Sequence, residues 1–106
     1  MLPIELRTPR EIVQMLARRV KVLRLERGWT QREIADRAGI ALATYRRFER
    51  SGRISLERLA RLAVILGVQS GFDGLFAPPP ARSLTELERE DARPPRKRGR
   101  RSDAET

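Results

Sequence analysis

Between residues 12 and 23, apolar side chains fall at Ile12, Leu16, Val20 and Leu23, three and four positions apart. That spacing lays a single apolar stripe along a helix. Thr8-Pro9-Arg10-Glu11 precedes the stripe as a capping box with proline at the first helical position, and Gly28 follows it as a stop. The pattern then repeats in shorter form. Thr30-Gln31-Arg32-Glu33 is a second capping box, opening a helix with Ile34, Ala35 and Ala38 on one side and Gly39 at its end. A third helix is expected over 42–50, stopping near Ser51-Gly52. Ser55 caps a fourth, with Ile54 and Leu59 placed as a hydrophobic staple. Its apolar face runs through Leu59, Leu62, Ala63 and Leu66 to Gly67. Ser70 with Asp73 opens a short fifth helix bearing Phe72, Leu75 and Phe76. No stretch alternates with period two, so no strand is expected. The expectation is an all-α, five-helix domain over residues 8–76, closed by "APPP" at 77–80, because consecutive prolines cannot continue a helix.

The remainder reads differently. Residues 77–92 are a proline-rich connector followed by a further capping box, Ser83-Leu84-Thr85-Glu86, which starts a short acidic helix, "LTELERED". Residues 93–106 have no core side chains and are expected to be a disordered basic tail. That tail suits an arm following phosphates or entering a minor groove, and equally a solubilising end.

Charge sharpens this division. Lys and Arg number 23 against 14 Asp and Glu, a net +9 with a pI near 11.5. Residues 1–69 carry 15 basic and 7 acidic side chains, residues 70–92 carry 2 and 5, and residues 93–106 carry 6 and 2. Only Lys21 and Lys97 are lysines. Arginine's planar fork suits phosphates and guanine edges, although such a bias also follows from genome nucleotide composition. Net charge of this size argues for an acidic partner without naming it.

What is missing narrows the chemistry. With no cysteine, disulfides and thiolate metal sites are impossible, and with no histidine the commonest general base and metal ligand are gone. No cofactor is expected, and the chain reads as a binding protein, not an enzyme. No run reaches the 18 or more apolar residues of a spanning helix. The opening "MLPIELRTPRE" lacks the apolar core of a secretory signal. A cytoplasmic, nucleoid-associated protein without a membrane partner is the expectation.

Residues 31–50, "QREIADRAGIALATYRRFER", hold the densest signal. Ala35 is small enough to let a second helix cross closely, Gly39 sits in the turn, and Ile34, Ala38, Ile40, Tyr45 and Phe48 can all face inward. That is the pattern of a helix-turn-helix, whose second helix enters the major groove. A generic helical hairpin in a small bundle is the bland alternative. On a wheel of the third helix, Tyr45 and Phe48 define the buried side, which leaves Ala43, Arg46, Arg47 and Arg50 opposite. Arginine can pair bidentately with guanine, while Leu42 and Ala43 can pack on a thymine methyl. Trp29 reads as a core plug between the first two helices.

With its neighbours "ERGWTQREIADRAGI" and "RLARLAVILGV", the window resembles the helix-turn-helix family of phage repressors and Cro proteins, the XRE family, over about residues 15–76. The resemblance implies sequence-specific binding of double-stranded DNA by a homodimer on a palindrome, with transcriptional repression as the outcome. It implies backbone contacts from Thr30, Gln31 and Arg32, and base reading from Ala41, Leu42, Ala43, Arg46 and Arg47. Thr44, Arg50 and Arg53 complete the expected DNA surface. It also implies a structural ion pair between Arg24 and Glu49. The sequence departs from the family at Ala41, where a Ser or Thr cap is usual, and at Leu42 and Ala43, which replace polar base readers. Tyr45 takes an aliphatic core position, so its hydroxyl must find a partner or reach solvent. More loosely, "GLFAPPPARSLTELE" followed by a basic tail resembles the DNA-binding antitoxins (HipB-like) found beside HipA-type kinase toxins. That likeness implies a kinase-toxin partner and autorepression of a shared operon.

Overall fold

The first long helix, α1 (Pro9–Glu26), begins at Thr8, whose hydroxyl accepts from the Glu11 amide. In return, the Thr8 amide donates to the Glu11 carboxylate at 2.9 Å. The second, α2 (Gln31–Ala38), starts with the same reciprocal pair between Thr30 and Glu33. Each pair satisfies two of the donors that a helix start leaves orphaned. In α3 (Leu42–Ser51) the cap position is Ala41, which offers no side-chain bond, and α4 (Leu56–Leu66) is capped by the Ser55 hydroxyl. These coordinates are a computed structural model that describes residues 2–79. Among them no residue lies in a strand.

Packing follows the apolar stripes. Ala17 from α1, Ile34, Ala35 and Ala38 from α2, Tyr45 and Phe48 from α3, and Leu62 and Leu66 from α4 form one buried cluster with Ile40. Ile54 and Leu59, the expected staple, both pack half-buried against it, as does Trp29. α3 lies against α1 and α2, and α4 lies against α2. The α2–α3 turn depends on Gly39, whose φ of +69° is left-handed, and it lets the Ile40 amide reach back to the Ala35 carbonyl at 2.9 Å.

The fifth helix is a correction. Gln69–Phe72 forms a single 3-10 turn with no side-chain cap, and four α-helices, not five, carry the described fold. The cause lies in "SGFDG": two glycines within five residues remove about 1 kcal/mol of helix propensity each, and Ser70 lies inside the turn instead of capping it. Leu75 is accordingly exposed. A further 3-10 turn, Ile4–Leu6, precedes α1. Contacts divide the chain into two units, Met1–Leu75 and Phe76–Thr106, and all four α-helices belong to the first. In the second unit, Phe76 adopts φ +60° and is exposed. The expected acidic helix at 84–91 and the basic tail at 93–106 lie outside the described residues.

Candidate nucleic-acid interface

α3 is held by its aromatics. Tyr45 and Phe48 are fully buried, their rings edge to face with centroids 6.2 Å apart. With that side fixed, Ala43, Arg46, Arg47 and Arg50 emerge exposed on the opposite one. Ala41, at the helix start, is exposed as well. Leu42 and Thr44 sit differently from the sequence expectation: both are half-buried, and Leu42 packs against the core. Of the two apolar side chains assigned to a thymine methyl, Ala43 is therefore the one fully presented.

Behind this face lies a polar knot. Arg24, only 8% exposed, donates through Nε and Nη2 to the two carboxylate oxygens of Glu49, each at 3.0 Å. Its Nη1 donates to the Trp29 carbonyl at 2.8 Å. Glu49 also accepts from Gln31 Nε2 at 3.0 Å and from the Tyr45 hydroxyl. Burial alone would raise the Glu49 pKa. The hydrogen bonds from Arg24, Tyr45 and Gln31 outweigh it and hold the carboxyl below its ordinary value. Tyr45 moves the other way, because burial and the adjacent carboxylate both disfavour a phenolate. Its hydroxyl thus finds the partner that the sequence left open.

Gln31 extends the knot to the surface. Its Oε1 accepts from Arg46 Nε at 3.3 Å, so one amide touches both the buried carboxylate and an exposed arginine of α3. Arg32 is exposed beside it, and the capping box of α2 leaves the Gln31 and Arg32 backbone amides without intrahelical acceptors. Such a helix start attracts phosphate. Arg53 is exposed in the α3–α4 loop, its amide held by the Ser51 hydroxyl at 3.2 Å. The fold thus brings Gln31, Arg32, Ala43, Arg46 and Arg47 to the α2–α3 surface, with Arg50 and Arg53 at the far end of α3. Thr30 is exposed, though its side chain is engaged in its own capping box.

Sequence reasoning missed two parts of this arrangement. Arg37 stacks over the Trp29 ring at 4.4 Å, with Arg27 at 5.7 Å from the same ring, and Arg27 also donates to the Leu66 carbonyl. The Gln31 bridge was hidden as well, because its partners lie 15 and 18 positions away. A glutamine two places before Glu33 carries no local signal of that role.

Two short helices joined by a glycine turn, with the second pinned by its aromatics and baring arginines, define a DNA-binding domain of transcription regulators. The comparison with protein families agrees: the family described as Helix-turn-helix matches residues 20–72, half of the chain, and the chain belongs to that family, in its XRE form. No curated protein and no solved structure matches the chain. No helix among the described residues is long and apolar enough to cross a membrane.

Proposed function

We propose that this protein is a sequence-specific repressor that binds a palindromic operator as a two-fold dimer, reading bases with the outer side of α3. The single observation that carries this reading is the shared exposure of Ala43, Arg46, Arg47 and Arg50 over a fully buried Tyr45–Phe48 base. Arg46 and Arg47 meet base edges, with Ala43 and the accessible edges of Ala41 and Leu42 against methyl groups. Thr30, Gln31, Arg32, Thr44, Arg50 and Arg53 meet the backbone.

A surface suited to a second copy supports the dimer. Leu56 and Val64 on α4 are 71% and 57% exposed, with Ala60 between them at helical spacing. A two-fold axis over Ala60 would set each protomer's Leu56 against the other's Val64. It would also bring Glu57 of one copy near Arg61 of the other, charges that pair within one chain at 3.1 Å. Half-sites one helical turn apart, about 34 Å, follow from such symmetry. The expected HipA-type kinase partner rests on residues 74–88 and the basic tail after them, of which 80–88 and the tail lie outside the described residues.

The test is differential binding. A footprint on the promoter of the chain's own operon supplies the operator. Arg46→Ala should then cost roughly 1–3 kcal/mol there and relax preference at one base pair. Arg50→Ala should weaken cognate and random duplexes alike and flatten the salt slope by about one. Uniform loss from Arg46→Ala would overturn the assignment of α3 as the reading helix.

A further inference from the structure

We infer that the outer face of α1 is a docking groove for a second protein, taking an acidic segment with apolar side chains set among its carboxylates. Arg7, Met15, Arg18, Arg19, Val22 and Leu23 line an open groove of about 470 Å³. Its apolar floor is unusual in position. Ala17, Val20 and Arg24 mark the side of α1 that packs into the core, and Met15, Arg18 and Val22 fall on the opposite side of the helix. Met15 is nevertheless 7% exposed, because the Arg7 guanidinium reaches over its sulfur while its Nε donates to the Leu2 carbonyl. The chain before α1 is thereby folded against this face, with Leu2, Ile4 and Leu6 left exposed beside it. Val22 is 53% exposed, an apolar side chain in a place that core packing does not explain.

Charge selects the occupant. No carboxylate lines the groove, and among the described residues Arg7, Arg18 and Arg19 are in no ion pair. The guanidinium forks of Arg18 and Arg19 beside an apolar floor suit carboxylates bidentately, with Arg7 adding its charge, and leave the floor for an aliphatic side chain. A phosphodiester backbone has nothing to place on Val22 and Leu23. The groove also lies on the far side of α1 from α3, so a chain held on DNA by α3 keeps it open. This surface stands independently of the operator reading, and its role would be to recruit a protein to the bound complex.

The experiment uses the full chain, isotopically labelled, and two synthetic peptides of equal charge. One carries leucines at helical spacing among glutamates, and the other replaces every leucine with serine. At physiological salt the leucine peptide should bind about tenfold or more tighter, the size expected of an interface anchor, and should shift the amide signals of residues 15–23. Val22→Ser, and separately Arg18→Gln with Arg19→Gln, should each lose that preference while leaving duplex affinity within about threefold, well under the effect of a phosphate contact. Equal binding of the two peptides would overturn the inference, as would amide shifts centred on α3. Loss of duplex affinity in the Arg18→Gln/Arg19→Gln variant as large as in Arg50→Ala would reassign the face to DNA.

Discussion

At Glu49 a buried carboxylate meets donors from three helices: Arg24 of α1, Gln31 of α2 and Tyr45 of its own α3. Its side chain and that of Arg24 are 7% and 9% exposed, so neither charge retains much water when the other is removed. Arg24→Ala should therefore cost about 3–5 kcal/mol, mostly as the penalty of an unpaired buried carboxylate. The same residue sets an acid limit. The Glu49 pKa is depressed on folding, so its contribution is complete above the unfolded value, about 4.3, and is lost as pH falls through the folded one. The exposed glutamates of the two capping boxes, Glu11 and Glu33, shift in the same direction through the bonds from Thr8 and Thr30. Thermal midpoints should fall between about pH 5 and pH 3. Glu49→Gln should start lower at neutral pH and lose less over that interval. An equal loss in that variant would remove Glu49 from the account.

Among the elements, the helix starts at Thr8, Thr30 and Ser55 and the stops at Gly28, Gly39, Gly52 and Gly67 were all legible in the sequence, because caps and stops act across three or four residues. The contacts that orient one helix on another were not. Arg27 reaches a carbonyl 39 positions away, and no spacing rule points to it. The Arg24–Glu49 pair came from family resemblance, since its members stand 25 positions apart. The fifth helix does not form because Gly71 and Gly74 outweigh the cap signal of Ser70 with Asp73. α3 lacks the cap its neighbours have. Ala41 holds φ −67° and ψ 144°, a conformation ready for a capping side chain, so Ala41→Ser should stabilise the fold by about 1 kcal/mol. A thermal midpoint raised by several degrees checks it; no rise would mean that the hydroxyl prefers solvent. The other end of α3 admits no such change. Gly52 has φ +82°, and a Cβ there would meet the Val13 carbonyl carbon of α1 at 2.8 Å. Gly52→Ala should cost about 2 kcal/mol or more, from left-handed strain and displaced backbone together. Denaturant midpoints measure it, and a variant as stable as the parent would show that α1 and α3 can separate freely.

For the molecule as a whole, symmetry is the quantity to test. If the α4 stripe joins two copies, Val64→Glu should yield monomers by sedimentation with helical content unchanged, and binding to a two-half-site operator should lose its cooperativity. A Val64→Glu chain that stays dimeric would move the interface elsewhere. The knot around Glu49 has a different consequence at this scale, one that concerns transplantation. In isolation, residues 30–53 would carry every side chain proposed to touch DNA, yet they lack Arg24, whose guanidinium neutralises Glu49 and holds the Trp29 carbonyl. Cut from α1, the helix pair would keep the Gln31 and Tyr45 bonds to Glu49 but leave that carboxylate without its counter-charge, at the root of the bridge through which Gln31 steadies Arg46. The proposed reading surface is thus not a portable cassette. Grafted onto another scaffold, it would need an arginine delivered at the same place and angle before its own arginines could point at a groove.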